Sequence, residues 1–420
     1  MILLNAKTRK ELLNMSLRLE CFLEQKGAEY APFNPKRAPK LLEQLHLKFN
    51  KNQVIIQIIG TNGKGSTGRF LALMFKNLGV KTGHFTSPHL LFLRERFWID
   101  GESVAESVLE NAFDSLDIEI LHKASYFEVL TFLAFRVFEK CEVVILEAGL
   151  GGEYDSTTTC STPQLTLFTS IGIDHEEFLG KSIKEIATTK LNAMAKLSVL
   201  GFQREKEVVS IAEKIVKEKD LELEKVEEIP QNILEYVKER NYPHYQAQNL
   251  TLAWKALVMA IKKIPTLKRL ESKIDFDLNF SLDSFLRTLP LLDLQGRFQS
   301  LTPKIFLDVL HNVDGAKALL EHYITFSEDK TILIYNSYFD KNPKAILSLL
   351  KPIIERVEIF EVENSRIIKK GALEEILKAL EIPYCDFSHL NKESQYLVCG
   401  SFSVVAKFLK DFKEKKIKEE

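Results

Sequence analysis

No apolar run in this 420-residue chain approaches the roughly 20 residues that a membrane-spanning helix needs. The opening stretch, MILLNAKTRKELLNMSLRLE, is charged too early and too evenly for a secretory leader. Its leucine spacing predicts an amphipathic helix instead. Cysteine is sparse: Cys21, Cys141, Cys160, Cys385 and Cys399 are scattered, odd in number and without a C-x-x-C pair. A disulfide framework and a zinc site are thereby excluded, and a reducing cytoplasm is expected. An excess of charge is missing too, with 57 Lys plus Arg against 58 Asp plus Glu and a net charge of −1. A general nucleic-acid binder needs a basic footprint, so any anion site here is local. No heptad pattern, internal repeat or low-complexity linker occurs, and a monomer is the expectation.

What is present is globular: 45% hydrophobic and 27% charged residues, in a length that suits two or three domains. A strand-like run over residues 54–59 meets a glycine-rich turn, and an apolar-periodic helix follows over about 66–78. Further short buried-strand runs recur at VKTGHFT, VVILEA and LTLFTSIGI, separated by helical patterns. This alternation predicts a mostly parallel α/β sheet covered on both faces. Residues 205–239 read as charged surface helices. The strand pattern restarts near Arg297 with KIFLDVL, TILIYNS, VEIFEVE and YLVCGSF, which predicts a second, smaller Rossmann-like α/β domain. The division expected is 1–295 and 296–420.

The strongest local signal is GTNGKGST, residues 60–67. It follows a strand and opens a helix, the context in which glycine-rich turns bind phosphate. Glycines let backbone N–H groups approach phosphate oxygens, and the helix N-terminus adds partial positive charge. Lys64 is placed for the outer phosphates, and Ser66 or Thr67 for a magnesium ion. The string departs from G-x-x-x-x-G-K-[ST], with Ile58 where the first glycine stands and Gly65 directly after Lys64.

Glu147 closes a buried-looking strand, at the sheet edge where open α/β folds bind ligands. Its carboxylate suits magnesium, or alternatively a turn or helix cap. His175 follows another strand in SIGIDH, and Ser87 offers a hydroxyl in SPHL.

Nine strings stand in one order: GTNGKGST, FTSPHL, RERFWIDG, YFEVLTFLAF, LEAGLGGEYDST, GIDHEEFLG, QGRFQ, LDVLHN and LVCGSF. Together they resemble the dihydrofolate synthase/folylpolyglutamate synthase family, the folate branch of the Mur ligases, over about residues 37–402. The resemblance implies a P-loop central domain, a C-terminal ligase domain and ATP-driven amide ligation. In that chemistry ATP converts an acceptor carboxylate to an acyl phosphate, and the amine of L-glutamate displaces phosphate. Two anions must meet, so positive charge must sit between them.

The resemblance also implies residue roles. Thr61, Asn62, Gly63, Lys64, Gly65 and Ser66 would hold the ATP phosphates. Ser87, Glu147 and His175 would serve two magnesium ions, with Lys190 as a carbamylated ligand; the bland alternative for Lys190 is a surface helix lysine. Lys64, His175, Lys190 and Arg297 would be catalytic. Asn249, Arg297 and Asp308 would contact the nucleotide, Arg297 at the phosphates and Asp308 at the ribose. Asp308 also suits a helix cap. His311 and Asn312 would shape the glutamate side. Arg37, Phe127, Glu128, Tyr154, Asp155 and Ser156 would form the pocket for dihydropteroate or reduced folates, since a flat hydrogen-bonding pterin needs an aromatic ring and a carboxylate.

Four places depart from the family pattern. Glu153 stands for Arg, Thr158 for Asn and Val313 for Pro, and LNAMAK after Lys190 lacks the usual AGI. Glu153 reverses charge near the expected pocket. The neighbouring alternatives fit less well. A peptidoglycan-type Mur ligase would carry a UDP-sugar domain ahead of the loop, where only about 50 residues stand, near the lower limit for a domain. A non-ligase P-loop switch would read its base through N-K-x-D, which is missing.

Overall fold

The strand β1 (Val54–Ile59), Val-Ile-Ile-Gln-Ile-Ile, is buried at every position. That is the signature of a strand covered on both faces, and the rest of the first sheet is built around it. The computed structural model describes residues 18–27, 34–273 and 280–418. Most of the amphipathic helix expected at the start, residues 1–17, lies outside the described residues. Its continuation is helical and buries Leu19, Phe22 and Leu23.

The chain divides into two compact units. One runs to Ile233 and includes Gln248–Leu292; the other combines Leu234–Ala247 with the chain from Asp293 onward. In the first unit β1 is joined by β2 (Thr82–Phe85), β3 (Phe97–Ile99), β4 (Glu102–Ser103), β5 (Val143–Glu147), β6 (Leu165–Phe168), β7 (Leu197–Leu200) and β8 (Glu222–Lys225). Their order is β4-β3-β2-β5-β1-β6-β7-β8. All pairs are parallel except β2 with β3 and β3 with β4. The edge strand β8, Glu-Leu-Glu-Lys, falls within the stretch read from sequence as surface helices. Its charges hide it from a hydrophobicity pattern, and they suit an edge that must not recruit another strand. The helix Lys64–Asn77 starts two residues earlier than its periodicity suggested and packs its buried face on β1, β2 and β5.

The second unit holds β9 (Arg297–Thr302), β10 (Ile305–Asp308), β11 (Thr331–Tyr335), β12 (Ile354–Ile359), β13 (Tyr384–Asp386) and β14 (Tyr396–Cys399), in the order β13-β12-β11-β14-β10-β9. Only β9 runs antiparallel, against β10. The fold is thus α/β with two mostly parallel sheets. Among the described residues no helix is long and apolar enough to cross a membrane.

Candidate active site

Four neighbouring parallel strands of the first unit, β2, β5, β1 and β6, end at one sheet edge, and the loops beyond them carry most of the chemical side chains. Register makes the neighbourhood explicit. Glu147, last in β5, pairs with Ile58 of β1, and Ile59 pairs with Phe168 of β6. Residues 60–63 leave β1 at this edge and open the helix Lys64–Asn77. Gly63 has φ 88°, and a Cβ there would fall 2.3 Å from Asn249 Oδ1. Only glycine lets the loop close on the helix Tyr245–Lys263, whose Asn249 also accepts from Thr67 Oγ1 at 3.4 Å.

Thr61 is spent on shaping the loop. Its N–H donates to Ser170 O at 2.8 Å and its hydroxyl to Gly172 O at 3.1 Å. Asn62 bridges to Ser170, and Ser66 is buried at the helix start. Lys64 Nζ folds back on its own loop, donating to Gly60 O at 3.3 Å and Thr61 O at 3.2 Å.

Lys190 is not a surface lysine. It sits in the last turn of the helix Ile183–Leu191 with 1% exposure. Its ammonium donates to Gly60 O at 3.0 Å and Leu150 O at 2.9 Å. Burial, with the Lys64 charge second, brings its pKa from 10.5 down to about 7, against opposing pulls from Asp174 and Asp155.

Glu147 is buried and accepts from Thr86 Oγ1 and, at 3.2 Å, from Ser87 N. The loop after β2 is therefore tied to the end of β5 through this carboxylate. His175 has φ 52° and begins the short helix Glu176–Leu179; Asp174 Oδ1 accepts its N–H at 2.9 Å. Among the described residues no three His, Cys, Asp or Glu side chains converge to cage a metal. The donors at this edge are mostly hard oxygens, spread along the loops. That suits an ion such as magnesium, which keeps several waters and binds through one or two carboxylates plus substrate phosphates.

A cavity of about 50 Å³ lies in the same unit. Arg37, Phe127, Glu128, Tyr154, Asp155 and Ser156 all line it, so the structure brings together every residue the resemblance assigned to an acceptor pocket. Arg37 Nε pairs with Glu128 Oε2 at 2.7 Å, and the same oxygen accepts Ser125 N at 2.7 Å in the capping box of the helix Tyr126–Val137. Asp155 accepts from Leu150 N, Gly151 N, Thr157 N and Thr157 Oγ1 at 2.6–3.2 Å. Ser156 Oγ bonds Thr131 Oγ1 at 2.7 Å. Phe127 is buried and Tyr154 is exposed.

Glu153 is not part of the described lining. It accepts from Asn192 Nδ2 at 3.0 Å, so the reversed charge points to a helix end rather than into the cavity. The hydroxyl of Thr158 is buried without a partner, and nothing in the structure explains that departure.

In the second unit, Arg297 and Asp308 are cross-strand neighbours on β9 and β10. Asp308 is buried and does not cap a helix; it accepts from Phe298 N at 2.9 Å, Leu310 N at 2.8 Å and Tyr245 OH at 3.1 Å. Burial raises its pKa, while Arg297 and these donors oppose the rise. Burial, then the Asp308 charge, pushes the Tyr245 phenol well up. Arg297 donates to Gly296 O at 3.2 Å and lies 5.4 Å from the Phe402 ring, which His311 approaches at 5.7 Å. Asn312 is the helix cap, accepting Gly315 N at 2.8 Å. Sequence reasoning missed Thr86 and Tyr245. The signal for Thr86 was adjacency to Ser87; for Tyr245 it was a place one helical turn before Asn249, on the same helix.

The family model for the Mur ligase middle domain matches residues 58–274, just over half the chain. The dihydrofolate synthase/folylpolyglutamate synthase of Haemophilus influenzae is 29% identical over 396 residues, covering 84% of this chain and 88% of that one. Among solved structures, Helicobacter pylori folylpolyglutamate synthetase is 38% identical with a TM-score of 0.74, covering 94% of this chain and 98% of that one. The bifunctional folylpolyglutamate synthase/dihydrofolate synthase from Yersinia pestis, complexed with AMPPNP and a Mn ion, is 23% identical with a TM-score of 0.74, covers 95% and 98%, and shares the fold.

Proposed function

Because the chain belongs to the dihydrofolate synthase/folylpolyglutamate synthase family of the Mur ligases, and is therefore an ATP-dependent ligase of folate metabolism, we propose its specific task. It joins L-glutamate to dihydropteroate, forming dihydrofolate, and extends reduced folates by further glutamates. One observation carries this reading. The cavity that gathers the six acceptor residues is also walled by Gly151 and Thr189, and a Cβ on Gly151 would fall 3.1 Å from Lys190 Nζ. An acceptor seated in the cavity with its carboxylate toward that wall reaches the lysine pair and the phosphate loop.

The chain's own groups then divide the work. Lys64, released from its loop carbonyls, and the N-terminus of its helix stabilise the outer phosphates while the acceptor carboxylate attacks the γ-phosphorus and ADP leaves. The amine of glutamate next attacks the acyl carbon, loses a proton and expels inorganic phosphate. Arg297 spreads the phosphate charge as a rigid fork, Asp308 accepts from the ribose, and Asn249 contacts the nucleotide beside the loop. His311 and Asn312 bound the glutamate subsite, Asn312 by fixing the start of its helix.

Ser87, Glu147, His175 and Lys190 would hold two magnesium ions, which neutralise phosphate charge when bound. The Mn ion in the Yersinia relative supports a divalent cation. A pKa of about 7 leaves Lys190 substantially a neutral amine near neutral pH, the form that adds CO2, forms an N–C bond and sheds a proton to become a carbamate. A carbamate would turn a metal-repelling cation into a ligand.

By role the chain divides into an ATP and acceptor part over residues 1–295 and a glutamate-ligase part over 296–420, except that residues 234–247 and 293–295 pack with the second unit. Near-neutral charge and five free cysteines support a cytoplasmic monomer acting on small molecules, without nucleic-acid or membrane partners. The test is phosphate release with ATP, magnesium and glutamate, comparing dihydropteroate, tetrahydrofolate and a UDP-muramoyl acceptor. The two pterins should support turnover and the sugar nucleotide should not. The reverse pattern would transfer the protein to the peptidoglycan branch.

A further inference from the structure

The loop after β5 is attached to the helix Ile183–Leu191 at three points. Lys190 Nζ donates to Leu150 O at 2.9 Å, Glu153 N donates to Thr189 O at 3.0 Å, and Asn192 Nδ2 donates to Glu153 Oε2 at 3.0 Å. The first anchors the Lys190 side chain on the loop backbone, and the second joins loop and helix backbone to backbone. Gly152 marks how close that contact is, since a Cβ there would fall 2.6 Å from Thr189 O. Two attachments still leave a rotation about the line joining them. The third, from the residue that ends the helix, removes it.

Asn192 is itself held. Its N–H donates to Thr188 O at 2.9 Å and its carbonyl accepts Lys219 Nζ at 2.9 Å. On the other side, Glu153 runs straight into Tyr154 and Asp155 of the cavity wall, and Asp155 binds back to Leu150 N and Gly151 N. The loop is therefore a closed unit that a shift at Glu153 moves as a whole. Glu153 and Asn192 lie in two of the stretches where the sequence departs from the family pattern, and the structure makes them each other's partner.

We propose that the Glu153–Asn192 pair is a positioning clasp, which sets the acceptor loop at a fixed angle to the helix end that carries Lys190. It rests on the ligase reading for its kinetic consequence but not for its structural one. Neither residue need touch a substrate. A clasp matters because a reacting carboxylate misplaced by about 1 Å loses on the order of a hundredfold in rate.

The test compares Glu153→Ala, Asn192→Ala, the double alanine variant, Glu153→Gln, and the exchanged pair Glu153→Gln/Asn192→Asp. Glu153→Gln keeps an acceptor for Asn192, and the exchanged pair re-forms the bond with donor and acceptor reversed. Amide hydrogen exchange should accelerate roughly tenfold or more in residues 150–155 of the alanine variants, and stay near wild type in Glu153→Gln and the exchanged pair. With substrates, the alanine variants should lose roughly ten- to a hundredfold in kcat/KM for the pterin acceptor while KM for ATP changes less than about twofold. The double variant should be no worse than either single one. Unchanged exchange in the alanine variants, additive single losses, or a Glu153→Gln variant as impaired as Glu153→Ala would overturn the clasp. Should the alanine variants not fold, Asn192→Asp alone, impaired and then restored by Glu153→Gln, decides the same point. A wild type inactive on every pterin acceptor would remove the ligase reading, leaving the exchange data to judge the clasp.

Discussion

Lys64 and Lys190 donate to one and the same oxygen, the carbonyl of Gly60, at 3.3 and 3.0 Å. Two ammonium groups from elements 126 residues apart in sequence thus meet over a single loop carbonyl, and their mutual repulsion contributes to the lowered Lys190 pKa. Asp174 and Asp155 offset part of that repulsion.

Lys64→Ala removes the loop's cation while leaving its fold-defining contacts, which run through Thr61, Gly63 and Asn249. Turnover should fall by about 10³-fold or more, the scale for a group that stabilises phosphoryl-transfer charge. Single-turnover formation of ADP from ATP and dihydropteroate checks it, and near-normal rates would remove Lys64 from the chemistry.

For Lys190, activity should drop in buffer stripped of bicarbonate and recover when bicarbonate is restored. Lys190→Ala should be inactive and partly rescued by millimolar acetate or formate, whose carboxylate stands in for a carbamate. Full activity without CO2, with no rescue of the variant, would identify Lys190 as an unmodified cation.

Tyr245 acts through Asp308. Tyr245→Phe deletes one hydrogen bond to a buried carboxylate, worth about 1.5–3 kcal/mol, so KM for ATP should rise roughly ten- to a hundredfold. KM for the acceptor should stay put. A change confined to the acceptor would place Asp308 outside the nucleotide site.

His322 gives the fold a pH dependence of its own. Its ring lies 4.5 Å from that of Phe298, its Nε2 is buried without a partner, and burial, then the charge of His244, lowers its pKa from 6.5 to about 4. Between those values the unfolded chain binds a proton that folded His322 refuses, so stability falls as pH drops from 6.5 toward 4 and levels off below. From pH 7 to 5 the wild type should lose on the order of 1 kcal/mol more than His322→Gln in urea titrations. Parallel losses in both proteins would mean that another group sets the acid limit.

How much of this was legible in the sequence depended on whether a residue's role is local. The buried run of β1, the glycine turn and the helix after it are contiguous, so periodicity and turn chemistry found them. A helix cap suits Asp308 by sequence, yet Asn312 is the residue that caps, through its bond to Gly315 N. The strands β3, β4 and β13 were passed over because each has two or three residues, and β8 because its residues are charged. Lys190 could be read as a surface lysine because helix periodicity does not reveal that Gly60 and Leu150 fold over it. Glu153 was read by its charge and its distance in sequence from the pocket residues. Only the fold shows that its side chain turns to Asn192.

The account stands on an acyl phosphate formed on a pterin acceptor, and oxygen labelling tests that most directly. With dihydropteroate carrying ¹⁸O in both carboxylate oxygens, ATP, magnesium and L-glutamate, the account predicts one ¹⁸O in the inorganic phosphate released per dihydrofolate formed, the other in the new amide, and ADP as the nucleotide product. Unlabelled phosphate alongside dihydrofolate, or ¹⁸O appearing in AMP, would contradict it.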